Sequence, residues 1–320
     1  SQTATLLLQD VYRGIESQIE RGRAKYLAVM EQVPQDHPRG GAVGVGAIFY
    51  VNRLIGLVPL EPDGSALFEV PASRSLYLHL LDKDGRMLMT QGSDFHVMPG
   101  ETRGCIGCHE QRQGIAVSPK PGRVPIAAGN APVRPKTPNW GTNGIIEYEA
   151  VVQPVFDKYC VSCHSGPDPD GRLDLSASHT TVYNMSYMEL TDKALVHFTP
   201  GTGRTPAQPT NDYDEQSPLS RGTLLSRLTP YLEDPDHCGK AMSWDERYRI
   251  YCWIDSNVPF YSHYRQLSPT ILTQQAREAL ADVYKRRCAS CHDQRPRKDA
   301  ASCLTQYHQA VHVPPEPGQW

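Results

Sequence analysis

The chain has 320 residues with 32 basic and 35 acidic side chains, a net charge of −3 and no long basic run, which argues against nucleic acid as a partner. It contains no stretch of 18 or more apolar residues, so no segment reads as a membrane span, and its 27 prolines and 25 glycines predict a loop-rich fold. The length suggests about two domains and lets roughly three quarters of the unfolded surface be buried, enough for a core of its own.

From Thr5 to Gly100 short apolar segments alternate with turns. They are Tyr26 to Val33, Val43 to Val51, Leu54 to Leu60, Ala66 to Val70, Leu76 to Leu81 and Met87 to Thr90, with Asp63-Gly64 and Asp84-Gly85 at corners. Such short, β-branched and aromatic segments predict an antiparallel sandwich or barrel. Cys105-Ile106-Gly107-Cys108-His109 follows the last of them. Between Gln111 and Gly144 the prolines at 119, 121, 125, 132, 135 and 138 predict a partly extended linker.

Helical periodicity starts after Ile145. Val151, Val155 and Phe156 share a face of a predicted helix over Glu147 to Tyr159, which runs into Cys160-Val161-Ser162-Cys163-His164. Ser243-Trp244-Asp245-Glu246 reads as a capping box opening a helix to about Asp255. Ala276, Leu280 and Val283 mark a further helix from Thr273 to Arg287, which leads into Cys288-Ala289-Ser290-Cys291-His292. The fold class expected is α+β: an N-terminal β-sandwich or barrel-like domain over residues 1–110, a linker over 111–144, then mainly helical, cytochrome c-like haem domains. These comprise 145–264 and a C-terminal segment, 265–320.

The three Cys-x-x-Cys-His motifs carry the chemistry. Two thiols at this spacing can form thioethers to one porphyrin edge while the next residue offers its imidazole to the iron. Chance would supply about 0.01 such motifs in a chain of this composition. Zinc ribbons and redox dithiols also use Cys-x-x-Cys, but neither needs a histidine after every pair. Three covalent c-type haems are therefore expected, attached through Cys105 and Cys108, Cys160 and Cys163, and Cys288 and Cys291, with His109, His164 and His292 as proximal ligands.

Several stretches resemble the alpha subunit of hydrazine synthase and its related multihaem cytochromes. They are Leu8-Gln9-Asp10-Val11-Tyr12, Glu61-Pro62-Asp63-Gly64-Ser65-Ala66, Phe68-Glu69-Val70-Pro71-Ala72, and Pro99-Gly100-Glu101 ahead of the first motif and Glu110. Gln153-Pro154-Val155-Phe156, Trp253-Ile254-Asp255 and Pro259-Phe260-Tyr261 continue the likeness, which covers about Leu6 to Tyr264. It implies a β-rich domain holding one haem c and a small helical domain holding a bis-His haem c. The family's propeller domain has no counterpart here, and the third haem segment, after Ser268, lies outside the likeness. In the family a tyrosine four residues after the motif's histidine holds the catalytic haem and that histidine binds zinc. Gln113 stands at that position here, and no tyrosine lies between Cys108 and Tyr148.

Without that tyrosine, haem 1 defaults to His109, and His96, nine residues before Cys105, is the candidate to close its other face. For haem 2 the resemblance points to His237, just before the capped helix, with Met242 as a rival. His308, His312 and His263 are candidates for haem 3, the first two one helical turn apart. His37, His79, His179 and His197 read as surface or hydrogen-bonded histidines, although an exposed one such as His37 could ligate a neighbouring subunit's iron. Cys238, Cys252 and Cys303 are left over, and the first two could pair. Asp168, Asp170 and Asp174 could bind calcium, though a solvated turn explains them equally.

Bis-His closure makes an iron an electron carrier rather than a reactive site. The chain is therefore expected to transfer single electrons to redox partner proteins or extracellular acceptors, with self-association into an oligomer or filament permitted. The alternative is a haem enzyme of nitrogen-compound redox chemistry with one open iron. Covalent haem and leftover cysteines suit an oxidising compartment, the periplasm or cell exterior, and the absence of a leading secretion signal reads as a processed chain.

Overall fold

A computed structural model describes residues 2–34, 43–46, 50–108, 124–180, 183–199, 217–237 and 242–264, with Asp282, Lys285 and Arg286 further on. Strand β1 (Thr3–Leu8) buries Ala4, Leu6 and Leu8 and leaves the alternate residues half-exposed, the period of a strand with one covered face. The next strands in chain order are β2 (Tyr26–Val33), β3 (Val51–Pro59), β4 (Ala66–Pro71), β5 (Ser75–Leu81), β6 (Met87–Thr90) and β7 (Thr102–Cys105). They form two sheets, β4-β1-β7 and β3-β2-β5-β6. The second is antiparallel throughout. In the first, β7 runs parallel to β1, so the sandwich is mixed rather than purely antiparallel.

Leu6, Phe68 and Val70 of the first sheet meet Leu27, Val29, Leu76 and Leu80 of the second, and Val11, Tyr12, Ile15 and Ile19 join the same cluster. The second sheet is also apolar on its far face. There Ala28, Met30, Tyr77, Leu81 and Met87 pack with Tyr148, Phe156, Tyr187, Trp253 and Phe260 from the C-terminal half. The molecule thus has three layers with the four-stranded sheet in the middle. Burying both faces explains why β2 is buried almost continuously from Leu27 to Glu31 instead of alternating.

Among its described residues the C-terminal half is not mainly helical, contrary to expectation. Its helices are short: α1 (Gln153–Tyr159), α2 (Met185–Asp192), α3 (Thr229–Glu233) and α4 (Trp244–Asp255). Prolines limit them, with Pro154 and Pro230 seated in the first turns of α1 and α3. The run expected to be α-helical from Glu147 opens instead as a π turn, Tyr148–Val152, because Pro154 has no N–H to continue an α ladder backwards. The capping box at Ser243 and Glu246 is present, and α4 ends at Asp255.

The strand expected over Val43 to Val51 does not form across its described residues, where Gly44 makes an isolated bridge to Pro259 and only Val51 enters β3. Strands β1 and β7 were not expected, the latter because Thr-Arg-Gly-Cys shows no apolar alternation; it is held by the edge of β1. From residue 124 the Pro-rich stretch lies along the sandwich. Val133 pairs with Phe68, and Lys136 crosses β3 so closely at Gly56 (φ +151°) that a Cβ there would stand 2.6 Å from the Lys136 carbonyl oxygen. Trp140 then packs edge-on to Tyr248 of α4 at 6.1 Å. Most of the helix expected over Thr273 to Arg287 lies outside the described residues.

Candidate haem sites

Helix α1 is anchored by Val155 and Phe156 in the core and delivers the second motif. Its last turn passes directly into the motif: the Cys160 N–H donates to the Phe156 carbonyl at 2.8 Å, and the Cys163 and His164 N–H groups donate to the Cys160 carbonyl at 3.1 and 2.9 Å. Cys160 is buried and Cys163 exposed, so the thiols stand on the rim between core and surface. The His164 ring lies with Nδ1 2.9 Å from the Asp170 carbonyl oxygen. As donor to that carbonyl, Nδ1 carries the proton and Nε2 keeps the lone pair that a metal needs.

Opposite stands His237, on the turn after α3. Its Nδ1 is 3.3 Å from the Tyr231 carbonyl oxygen, the same tautomer-fixing arrangement. The Tyr231 ring packs edge-on to it at 5.8 Å. The ring centres of His164 and His237 are 6.1 Å apart with planes at 67°. A metal–imidazole bond of about 2.0 Å, with the ring centre about 1.1 Å behind the nitrogen, puts trans imidazoles about 6 Å apart, centre to centre. The donor set and spacing therefore fit a bis-His iron. Met242, the rival ligand, is 6% exposed within the main core cluster.

The turn that carries Cys160 is tied to the start of α4 by a group that the sequence assigns only to a cap. Glu246 accepts from the Ser243 backbone N–H at 3.0 Å, from Lys158 Nζ at 2.7 Å and from the Tyr159 hydroxyl at 2.8 Å. Lys158 and Tyr159 immediately precede Cys160. Lys158 above all, with the Ser243 donors, holds the Glu246 carboxyl down to about 2. No spacing rule links residues 158 and 246; only the fold reveals the tether.

At the first motif, Cys105 ends β7 beside Leu8 of β1, and the Gln9 N–H donates to its carbonyl at 2.9 Å. Gly107 lies against the Arg13 backbone, where a Cβ would come 2.6 Å from the Arg13 carbonyl oxygen. Cys105 and Cys108 border a crevice of about 160 Å³ that is partly open to solvent. Leu8, Leu27, Leu78, Leu80 and Phe95 supply its apolar walls, and Thr90, Gln91 and Arg103 its polar lining. An apolar wall with few polar groups is the kind of lining that suits a flat organic cofactor. Burial pushes the Cys108 thiol up to about 12, the opposite of the lowered value that activates a redox dithiol.

His96 does not line this crevice. It is exposed, with Nδ1 4.0 Å from Asp94 Oδ2. His263 is exposed and lies near Glu147. His109, Cys288, Cys291, His292, His308 and His312 lie outside the described residues, as do His37, Cys238 and Cys303. Cys252 is a buried thiol on α4, raised to about 12 by burial. His79 is buried against Tyr77, and burial, with the charge of Arg221, pushes it down to about 3. The His197 Nδ1 accepts from the Gly222 N–H at 3.2 Å, and His179 is exposed near Glu149. Among the described residues no group of three or more His, Cys, Asp or Glu side chains could hold a metal ion, Asp168, Asp170 and Asp174 included.

Residues 15–110 match the family model of the hydrazine synthase alpha subunit middle domain, a segment that ends just past the first motif. A chain of Kuenenia stuttgartiensis hydrazine synthase superposes on 82% of this chain with a TM-score of 0.56 at 16% identity. The fold is shared with that protein. This chain spans 44% of the length of the hydrazine synthase chain. No curated protein matches. Among the described residues, no helix is long and apolar enough to cross a membrane.

Proposed function

We propose that the chain is a multihaem c-type cytochrome that moves single electrons between redox partners. The observation that carries the reading is the pair of imidazoles, His164 and His237, 6.1 Å apart beside Cys160 and Cys163. Haem supplies the one-electron couple. Cys160 and Cys163 would attach the macrocycle, and His164 and His237 would ligate its iron. The carbonyls of Asp170 and Tyr231 suit the tautomer that leaves each Nε2 free to ligate, and Glu246 fixes the end of α1, just ahead of Cys160, against α4. Ligation by both histidines would leave no position for a substrate, which favours electron transfer over catalysis.

Three such haems, at the motifs beginning at Cys105, Cys160 and Cys288, would carry current through one subunit, and self-association would extend the path as an oligomer or filament. Covalent haem together with the leftover cysteines fits an oxidising compartment, the periplasm or the cell exterior.

The match over residues 15–110 favours a second reading, an enzyme of nitrogen-compound redox chemistry with an open iron at the first motif. Optical and EPR spectra of the purified protein, oxidised and reduced, with and without carbon monoxide, separate the two. Three low-spin irons that ignore the gas are expected. A high-spin, gas-binding iron would overturn the carrier reading in favour of the enzyme.

A further inference from the structure

We infer that Met89 is the axial sulfur ligand of the haem at the first motif, an inference that rests on the haem reading above. Met89 lies on β6, paired with Leu80 of β5, and both side chains line the crevice bordered by Cys105 and Cys108. It is 7% exposed, and both cysteines pack against the same apolar cluster that contains it. Among the described crevice-lining residues, Met89 brings the one side chain besides the cysteines with a soft donor suited to haem iron; the others are aliphatic, aromatic, hydroxyl, amide, guanidinium or glycine. The histidine nearest in sequence, His96, is turned out toward Asp94 and solvent.

The placement has a functional consequence. Thioether ligation raises a haem's potential relative to bis-imidazole ligation. The first haem would then lie above the His164 and His237 haem in potential, and an electron shared between those two would favour the sandwich.

Peptide mapping comes first, to establish that the Cys105 to Cys108 peptide carries one haem. Its absence would overturn both the haem reading and this inference. With haem attached, the oxidised protein should show the red charge-transfer band of a methionine–iron bond. Met89→Leu should abolish the band and give one high-spin, carbon monoxide-binding iron. Met89→His, which tolerates failure of the leucine variant to fold, should also abolish the band, remain low-spin and lower the potential of one haem. A wild-type protein without the band, or a band at full strength in either variant, would overturn the assignment of Met89 while leaving the cytochrome reading intact.

Discussion

His237 and Asp255 show how differently a single side chain can matter in this protein. His237 is held by little beyond the Tyr231 carbonyl and ring and lies at the surface, its ring centre 6.1 Å from that of His164. His237→Ala should therefore leave haem attachment and folding intact while converting one iron to high spin and altering its potential, as EPR and redox titration would read. An unchanged low-spin spectrum would exclude it as a ligand. Asp255 is the reverse, a carboxylate sealed at the end of α4. Its Oδ1 accepts from the Thr223 N–H and hydroxyl, each at 2.7 Å, while Oδ2 is buried without a partner. Burial outweighs the Thr223 donors and pushes the carboxyl up to about 7. A folded-state value above the unfolded one means that the proton is bound preferentially on folding. The associated stability is fully present below the ordinary carboxylate range and is lost progressively as pH rises from there through 7, by up to about 4 kcal/mol in all. Thermal melts at pH 5 and pH 8 should show the larger part of that loss in the wild type and a much smaller one in Asp255→Asn.

At the level of elements, the strands that were legible are those whose apolar runs are bounded by turns. β2, β4, β5 and β6 fall where the sequence puts them, within a residue. β7 was not legible, because an edge strand of Thr-Arg-Gly-Cys is specified by the backbone groups of β1 and not by its own side chains. The capping box was readable since both its halves lie within four residues, and α1 was readable apart from the π turn that Pro154 imposes. The imidazole pair was reached through a resemblance; neither partner's position in sequence foretells a 6.1 Å approach across more than seventy residues. The first motif adds a steric demand that the Cys-x-x-Cys-His pattern leaves open. With the Arg13 carbonyl where a Cβ would be, Gly107→Val should displace the segment around Arg13 or the motif itself. Reduced haem occupancy at Cys105 and Cys108, read by mass, with normal occupancy at Cys160 and Cys163, is the expected result; unchanged occupancy at both would show that the contact is dispensable.

For the molecule as a whole, the α+β character was legible and the balance within it was not. Helical periodicity before the second and third motifs suggested a helical C-terminal half. Prolines and glycines between the motifs cut it into short helices that owe their stability to the far face of the four-stranded sheet. Strand β5 runs through the middle of that arrangement. Leu78 and Leu80 look toward the crevice at Cys105 and Cys108, while Tyr77 and Leu81 look toward the core that contains Cys160. Because a strand alternates its faces, even-numbered positions here address the crevice and odd-numbered positions the core shared with the C-terminal half. Substitutions on β5 can alter either side separately, but inserting or deleting a single residue would exchange the two sets of side chains at once. Variation along this strand should therefore run to replacement and not to change of length.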